Sequence, residues 1–286
     1  MSINRPAAPN CQAITLDVFR QIDITVDDYL SKRAWSEEGA FSAFNGVILA
    51  WIRDTKRIYD ATTFNTFIGL TASAVGKQSL TLTTTPSGST STASDEEAGH
   101  RFQAQAIAQG IADLFVELQD VSRDYNDLGY IRSYNEDDLV IVWNTAYVNL
   151  IKSIDLPTIF HKDGLLKKFE EYVLPARYFG SINSAATTGD GATIYAAYEQ
   201  VIGTTHYFAG ELLANGASAA ANASYTINPK VICKVMHRRS VPFMSAFEVG
   251  TSFFNPRSLT TNHYLTWGHN TLDYLADKPF ITVFEA

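Results

Sequence analysis

Apolar and polar positions divide the chain into stretches of different character. Residues 1–13 carry two prolines and no periodicity, which reads as irregular chain. From Ile14 to Trp35 apolar positions alternate with acidic ones, the pattern of a short helix or an extended piece, so 1–35 forms an arm with little core of its own. Ser36 is placed to cap a helix, and Glu37 and Glu38 suit its positive start. Ala40, Phe44, Val47, Ile48, Trp51, Ile52 and Ile58 then recur at helical spacing, with Arg53, Lys56 and Arg57 in the last turns. An amphipathic core helix is predicted over 36–61.

The pattern changes abruptly over 62–94. Leu80 and Leu82 alternate with hydroxyl residues, so a strand is expected before the Pro/Gly/Ser turn around Pro86. The sum is a long hairpin with too few apolar residues to pack alone, although the same Ser/Thr/Gly content would suit a linker between domains. Ser94-Asp95-Glu96-Glu97 is a capping box. Behind it Ala104, Ile107, Ala108, Ile111, Leu114, Phe115, Leu118 and Val121 predict a helix to about Arg123, roughly 44 Å long at 1.5 Å per residue, with Gly110 its weak point. After a turn at Asn126–Gly129, Asp137–Asn144 reads as a buried strand and Thr145–Lys152 as the start of a helix packed on it. Ser184–Ala223 is rich in Gly, Ala, Ser and Thr, and is read as loops around a helix near Ile194–Val201.

Composition narrows the function classes. A chain of 286 residues, 46% hydrophobic and 12% aromatic, buries a sizeable core as one large domain or two smaller ones. Charged residues are only 18%, so much of the surface is neutral and suits burial against copies of itself. A net charge of -8 and a pI near 5.2 argue against a dedicated nucleic-acid binder. The one tight basic group, His237-Arg238-Arg239, reads most simply as a solvated strand end. Cys11 and Cys233 fit no metal spacing or disulfide framework and are read as free thiols. No signal peptide or membrane-spanning run is expected, which implies folding in the cytosol and no membrane partner.

Catalytic chemistry finds little purchase. His100, His161, His206, His237, His263 and His269 are scattered, and the pair His263 and His269 is too far apart for a zinc motif. Thr188-Gly189-Asp190-Gly191-Ala192-Thr193 lacks the Gly-Lys-Ser/Thr of a phosphate-binding loop. Asp137 and Asp138 are adjacent, so on a strand they point to opposite faces. No nucleophile elbow or local Cys/His signature occurs. The expectation is a non-enzyme with no cofactor and no metal.

Two C-terminal runs carry more. Asn228-Pro229-Lys230-Val231-Ile232-Cys233-Lys234-Val235-Met236-His237-Arg238-Arg239-Ser240-Val241-Pro242 leads into Phe253-Phe254-Asn255-Pro256-Arg257-Ser258-Leu259-Thr260-Thr261-Asn262-His263-Tyr264-Leu265-Thr266-Trp267-Gly268-His269. This part of the sequence resembles the C-terminal part of major capsid proteins of small tailed bacteriophages, the podovirus capsid proteins of the phi-29 group. There a short strand, a helix and an Asn-Pro-Arg-Ser-Leu turn precede an aromatic strand. The order of elements upstream resembles the Hong Kong 97 fold, an α+β capsid fold.

The resemblance implies an N-terminal arm at 1–35, a helix of the peripheral region at 36–61 and an E-loop hairpin at 62–94. It further implies a spine helix and peripheral domain at 95–137, an axial domain at 138–250 with small-residue loops at 184–223, and C-terminal strands at 251–286 returning to the peripheral domain. The implied function is a head protein that self-assembles, through arm and E-loop contacts, into pentamers and hexamers of an icosahedral shell around double-stranded DNA. Subunit-interface residues would be Phe19 and Tyr29 of the arm, Lys77, Leu80, Leu82 and Pro86 of the loop, and Arg238, Arg239 and Arg257. Implied partners are further copies of the chain, scaffolding and portal proteins, and packaged DNA through non-specific contact. The location would be the virion capsid, assembled in host cytoplasm. A non-covalent shell is expected, in which loss of Gly76–Thr92 would leave a folded subunit that does not close. The rival readings are a tail or head-fibre component, and, further off, a soluble α/β or α+β enzyme with a deep polar pocket.

Overall fold

Ten alternating residues, Val18–Asp27, form the first strand, β1, of a computed structural model that describes residues 11–27, 38–69, 78–84, 93–148, 170–184, 199–202, 205–208 and 223–286. The chain divides into two compact units. The smaller comprises Ala13–Phe64 and Phe243–Leu272, and the larger Met1–Gln12, Asn65–Pro242 and Asp273–Ala286.

In the smaller unit β1 is one outer strand of an antiparallel sheet ordered β1-β11-β10, where β10 is Ser245–Asn255 and β11 is Thr260–His269. Alternation puts Ile22, Ile24, Leu265 and Trp267 on one face, against Ile48, Ile52 and Tyr59 of the helix α1, Glu38–Gly69. The expectation of an arm without a core is therefore corrected for 18–27. Strand period 2 gives this stretch one apolar face, and β11 satisfies the backbone donors and acceptors on its inner side. A second correction concerns 243–255. The helix expected before the Asn-Pro-Arg-Ser-Leu turn is the strand β10, whose Phe247, Val249, Thr251 and Phe253 favour a pleated conformation.

Helix α1 continues through 62–69, eight residues that the sequence pattern had given to the hairpin. Phe67 and Ile68 are buried there within the larger unit, where Phe67 stacks on Phe280 at 5.8 Å, so tertiary burial outweighs the modest helix propensity of the neighbouring threonines. Of the apolar residues assigned to the core face, Ile48 and Ile52 turn inward, while Val47, Trp51 and Ile58 are exposed.

The larger unit is built on a five-stranded sheet ordered β2-β12-β9-β3-β4, with β2 Ser79–Leu82, β3 Leu139–Asn144, β4 Glu170–Leu174, β9 Val231–His237 and β12 Phe280–Glu285. β3 and β9 are buried along their whole length, which is why β3 reads as a near-continuous apolar run, whereas β9 carries Lys234 and His237 among its apolar residues. The helix α2, Ala93–Gln119, supplies Ile107, Ile111, Leu114, Phe115 and Leu118 to a core shared with Leu139, Ile141, Trp143, Ile232, Val235, Ile281 and Val283. It ends four residues short of Arg123, where Asp120 Oδ1 accepts the Val121 N–H and Ser122 bridges to Arg132. Residues 145–148 begin a helical turn after β3, as the pattern predicts.

Gly110 acquires a reason. A Cβ there would lie 2.4 Å from Leu82 Cδ2, so the glycine makes the seat for β2 on α2. β2 runs parallel to β12, with Leu80 opposite Val283 and Leu82 opposite Glu285. The division predicted between 137 and 138 falls inside this one core, and the C-terminal stretch is shared between the units, changing over after Leu272.

Four short strands complete the described part as two antiparallel pairs: β5 (Gly180–Ser184) with β8 (Ala223–Ile227), and β6 (Glu199–Ile202) with β7 (Thr205–Phe208). The helix expected near 194–201 is corrected at its end, because Glu199–Ile202 is a strand. Val201-Ile202 is β-branched and lies two residues before its partner strand.

Candidate self-association surface

The sheet of the smaller unit has one face on α1 and one open face. Phe19, Gln21, Asp23 and Thr25 of β1 share the open face with Asn262, Tyr264, Thr266 and Gly268 of β11, and with Phe247, Val249, Thr251 and Phe253 of β10. Phe19 and Phe247 stack at 5.8 Å across the strand between them. They meet over Gly268, whose added Cβ would touch both rings at 3.0 Å. Phe19 is 55% exposed, Val249 48% and Phe253 65%, an apolar patch in a polar surround. β10, like β1, is an outer strand of this sheet, and 245–254 are exposed throughout.

Beneath, the unit is braced. Lys56 Nζ of α1 contacts Asp60 at 2.8 Å and Glu248 of β10 at 3.2 Å. Partial burial pulls the ammonium down, but the two carboxylates outweigh it and raise it above the ordinary lysine value. His269 Nδ1 lies 2.9 Å from the Asn270 carbonyl oxygen, which only accepts, so that nitrogen carries the proton and Nε2 accepts from the Tyr59 hydroxyl at 3.3 Å. Burial first of all lowers the His269 value below that of free imidazole, in keeping with a neutral ring. The tip between β10 and β11 is pinned by Asn255 Oδ1 accepting the Arg257 N–H at 3.1 Å and by Leu259 in the left-handed region, φ 54°.

The predicted interface residues are divided between the two units. Phe19 is on the open face and Arg257 at the exposed tip of the β10–β11 hairpin. Arg238, just after β9, pairs with Glu170 of β4, and Arg239 is exposed with its backbone N–H donating to His237 Nδ1 at 3.0 Å, while His237 itself is buried. Leu80 and Leu82 pack against the larger unit's own core. Tyr29, Lys77 and Pro86 lie outside the described residues. The aromatic row of β10 and the exposed Val47, Trp51 and Ile58 were missed as surface features. Alternation in Ser245–Asn255 was a signal for the first; for the second, α1 has apolar residues on more than one side, so its periodicity alone does not pick the buried one.

Enzymatic features are sparse. Among the described residues no group of three or more His, Cys, Asp or Glu side chains is placed to hold a metal ion. An open groove lined by Gln119 and 133–138 offers carboxylates and the hydroxyl of Tyr134, which burial pushes up to about 12. Lys234, in the middle of β9, is buried with Nζ 3.7 Å from the centre of the Phe280 ring, and burial holds it well below the ordinary lysine value. Cys233 beside it is buried and its thiol is pushed up by burial, the opposite of an activated nucleophile, whereas Cys11 is exposed. No described helix is long and apolar enough to cross a membrane.

No protein-family model matches the chain, and no curated protein matches it. Solved structures do. One is a chain of the capsid structure of Staphylococcus phage Andhra, with a TM-score of 0.57 and 11% identity over 94% of this chain and 70% of that one. Another is a chain of the structure of head fiber and inner core protein gp22 of native bacteriophage P68, with a TM-score of 0.60 and 12% identity over the same shares. The mixed α/β fold assembled from these two units is thus one shared with chains of bacteriophage capsid and head structures.

Proposed function

We propose that the chain is a bacteriophage major capsid protein of the Hong Kong 97 type, which self-assembles into pentamers and hexamers of an icosahedral shell around double-stranded DNA. The observation that carries this reading is the fold likeness to a phage capsid chain over 94% of the sequence. Surface chemistry supports it. An 18% charged content, an open aromatic sheet face and an exposed apolar stripe on α1 suit a chain that buries surface against copies of itself. Repeated weak contacts of this kind give a strong closed shell by multivalency. The net charge of -8 suits a container that does not hold its DNA tightly.

On this reading the stretches flanking β2, at 70–77 and 85–92, supply the E-loop with Lys77 and Pro86, and 1–13 with Tyr29 supplies the arm. Phe19, Arg238, Arg239 and Arg257 face neighbouring subunits, while Leu80 and Leu82 root the loop in its own sheet. Residues 95–123 would be the spine helix, and scaffolding and portal proteins the assembly partners in host cytoplasm. A second reading, another virion component such as a head-fibre protein, is favoured by the likeness to a chain of the P68 structure.

Electron microscopy of the purified chain, alone and with a candidate scaffolding protein, separates the two. Closed particles, tubes or capsomer rings are expected; a uniform trimer or other small oligomer in every condition refutes the shell.

A further inference from the structure

β10 is hydrogen-bonded to β11 on one side and to no described strand on the other. Soluble proteins blunt such an edge with lysine, proline or a bulge. Here the register shift lies at the very start, between Ser245 and Phe247, and 247–255 runs on with no proline and no basic residue. Its one charge, Glu248, is engaged by Lys56. This is an edge left ready for another strand.

The order of its side chains says which strand. If two copies pair antiparallel about a two-fold axis at Gly250, Phe247 of each faces Phe253 of the other, Val249 faces Thr251, and Glu248 faces Ser252. Both phenylalanine pairs and both Val–Thr pairs then fall on the open face, the cross-strand combinations that sheets favour. The lone carboxylate meets a serine rather than its own copy. On the axis sits a residue with no side chain, and an added Cβ there would have nothing within 4 Å. Moving the axis by one residue sets Phe247 against Thr251 or Asn255 instead, so the sequence itself picks the register.

We infer that β10 is an isologous docking edge, through which two copies of this chain pair about Gly250 and join their three-stranded sheets into one. The occupant is a second copy because in this register the strand matches its own apolar residues and sets no like charges together. Phe247, Val249 and Phe253 give the edge itself a partly exposed apolar surface, enough to mark a contact. This is below the area of a standard interface, so the pair is weak alone and suits a contact repeated many times. The pairing stands on the strand; only its placement between neighbouring capsomers rests on the shell reading.

The test is register-specific. In the full chain carrying Cys11→Ser, Gly250→Cys would bring two thiols together on the axis, at the roughly 4.5–5.5 Å Cα separation of opposed residues, inside the disulfide range. Ser252→Cys, on the same strand, would leave its thiols roughly 13 Å apart, at about 3.4 Å per residue. Cys233 is buried and stays out of the reaction. Under mild oxidation, non-reducing gels should show at least tenfold more covalent dimer for G250C than for S252C, with both variants folded by circular dichroism. Val249→Lys, which sets two ammonium groups diagonally across the axis, should weaken dimers at least tenfold in sedimentation equilibrium. Equal yields from the two cysteine variants, no dimer from G250C, or an unweakened V249K dimer would each overturn the inference, the last pointing to a different occupant. Microscopy keeps the two proposals apart: particles without the G250C cross-link remove the β10 pairing alone, and the cross-link without particles removes the shell alone.

Discussion

At the scale of residues, two positions join distant parts of the larger unit. Glu285, next to last in the chain, accepts hydrogen bonds from Thr84 and Tyr147, each at 2.5 Å, and from Gln103 at 2.7 Å, tying β12 to α2 and to the turn after β3. Partial burial pushes its carboxyl up, but these three donors outweigh burial and hold it below the ordinary carboxylate value. A carboxyl depressed on folding stabilises the fold above its unfolded value and loses that contribution as pH falls through the folded one. Glu285→Gln should therefore cost about 1–2 kcal/mol at pH 7 after allowance for solvent screening, and progressively less below about pH 4, as read from urea midpoints across that range. Gly110 makes the opposite kind of point. In an exposed helix Gly→Ala gains about 1 kcal/mol. Here the methyl meets Leu82, so Gly110→Ala should destabilise by about 1–2 kcal/mol net. In the background of Leu82→Ala the same change should turn favourable, a coupling that a double-mutant cycle measures directly.

At the scale of elements, α1 shows how one apolar helix serves two purposes. Ile52 is 4% exposed and sits with Leu265 and Trp267, whereas its neighbour Trp51 is 62% exposed. Ile52→Ala should cost about 3 kcal/mol of stability. Trp51→Ala should leave thermal unfolding within about 0.5 kcal/mol of the parent, its effect falling instead on self-association in light scattering. Periodicity made α1, α2 and β3 legible, since each has an apolar run long enough to declare its period. It failed where two structures share one composition. Residues 62–69 carry threonines that suit a strand, yet burial keeps them helical. Ahead of the Asn-Pro-Arg-Ser-Leu turn the resemblance implies a helix, whereas the alternation of Ser245–Asn255 favours the strand that pairs with β11.

At the scale of the whole molecule, the predictions concern assembly. Removing Gly76–Thr92 takes Leu80 and Leu82 out of the core, so that deletion should cost folding and not only closure, which revises the sequence-based expectation. Removing 85–92 alone spares β2, and should leave a subunit with a normal melting transition that fails to form closed particles under electron microscopy. Particles of parental size from this shorter deletion would remove the loop from assembly. Phe19 and Arg257 were named from sequence, and the structure sets Phe19 against Phe247 across Gly268. Arg238 and Leu82 were named too, and belong to an ion pair and a core of their own chain.

The sequence alone determined the apolar run of β3, the long helix α2 and a composition suited to burial among copies, because periodicity and charge content are local properties. It also held the wording of the Asn-Pro-Arg-Ser-Leu turn. Which strand lies beside which was decided only by tertiary structure: β1 finds β11 across more than two hundred residues, and β12 lies between β2 and β9. Pairing is a long-range choice among strands of similar composition, settled by which arrangement buries both faces of β3 and β9 at once. The same choice left β10 at an edge and Trp51 in solvent, and no local pattern of residues records either.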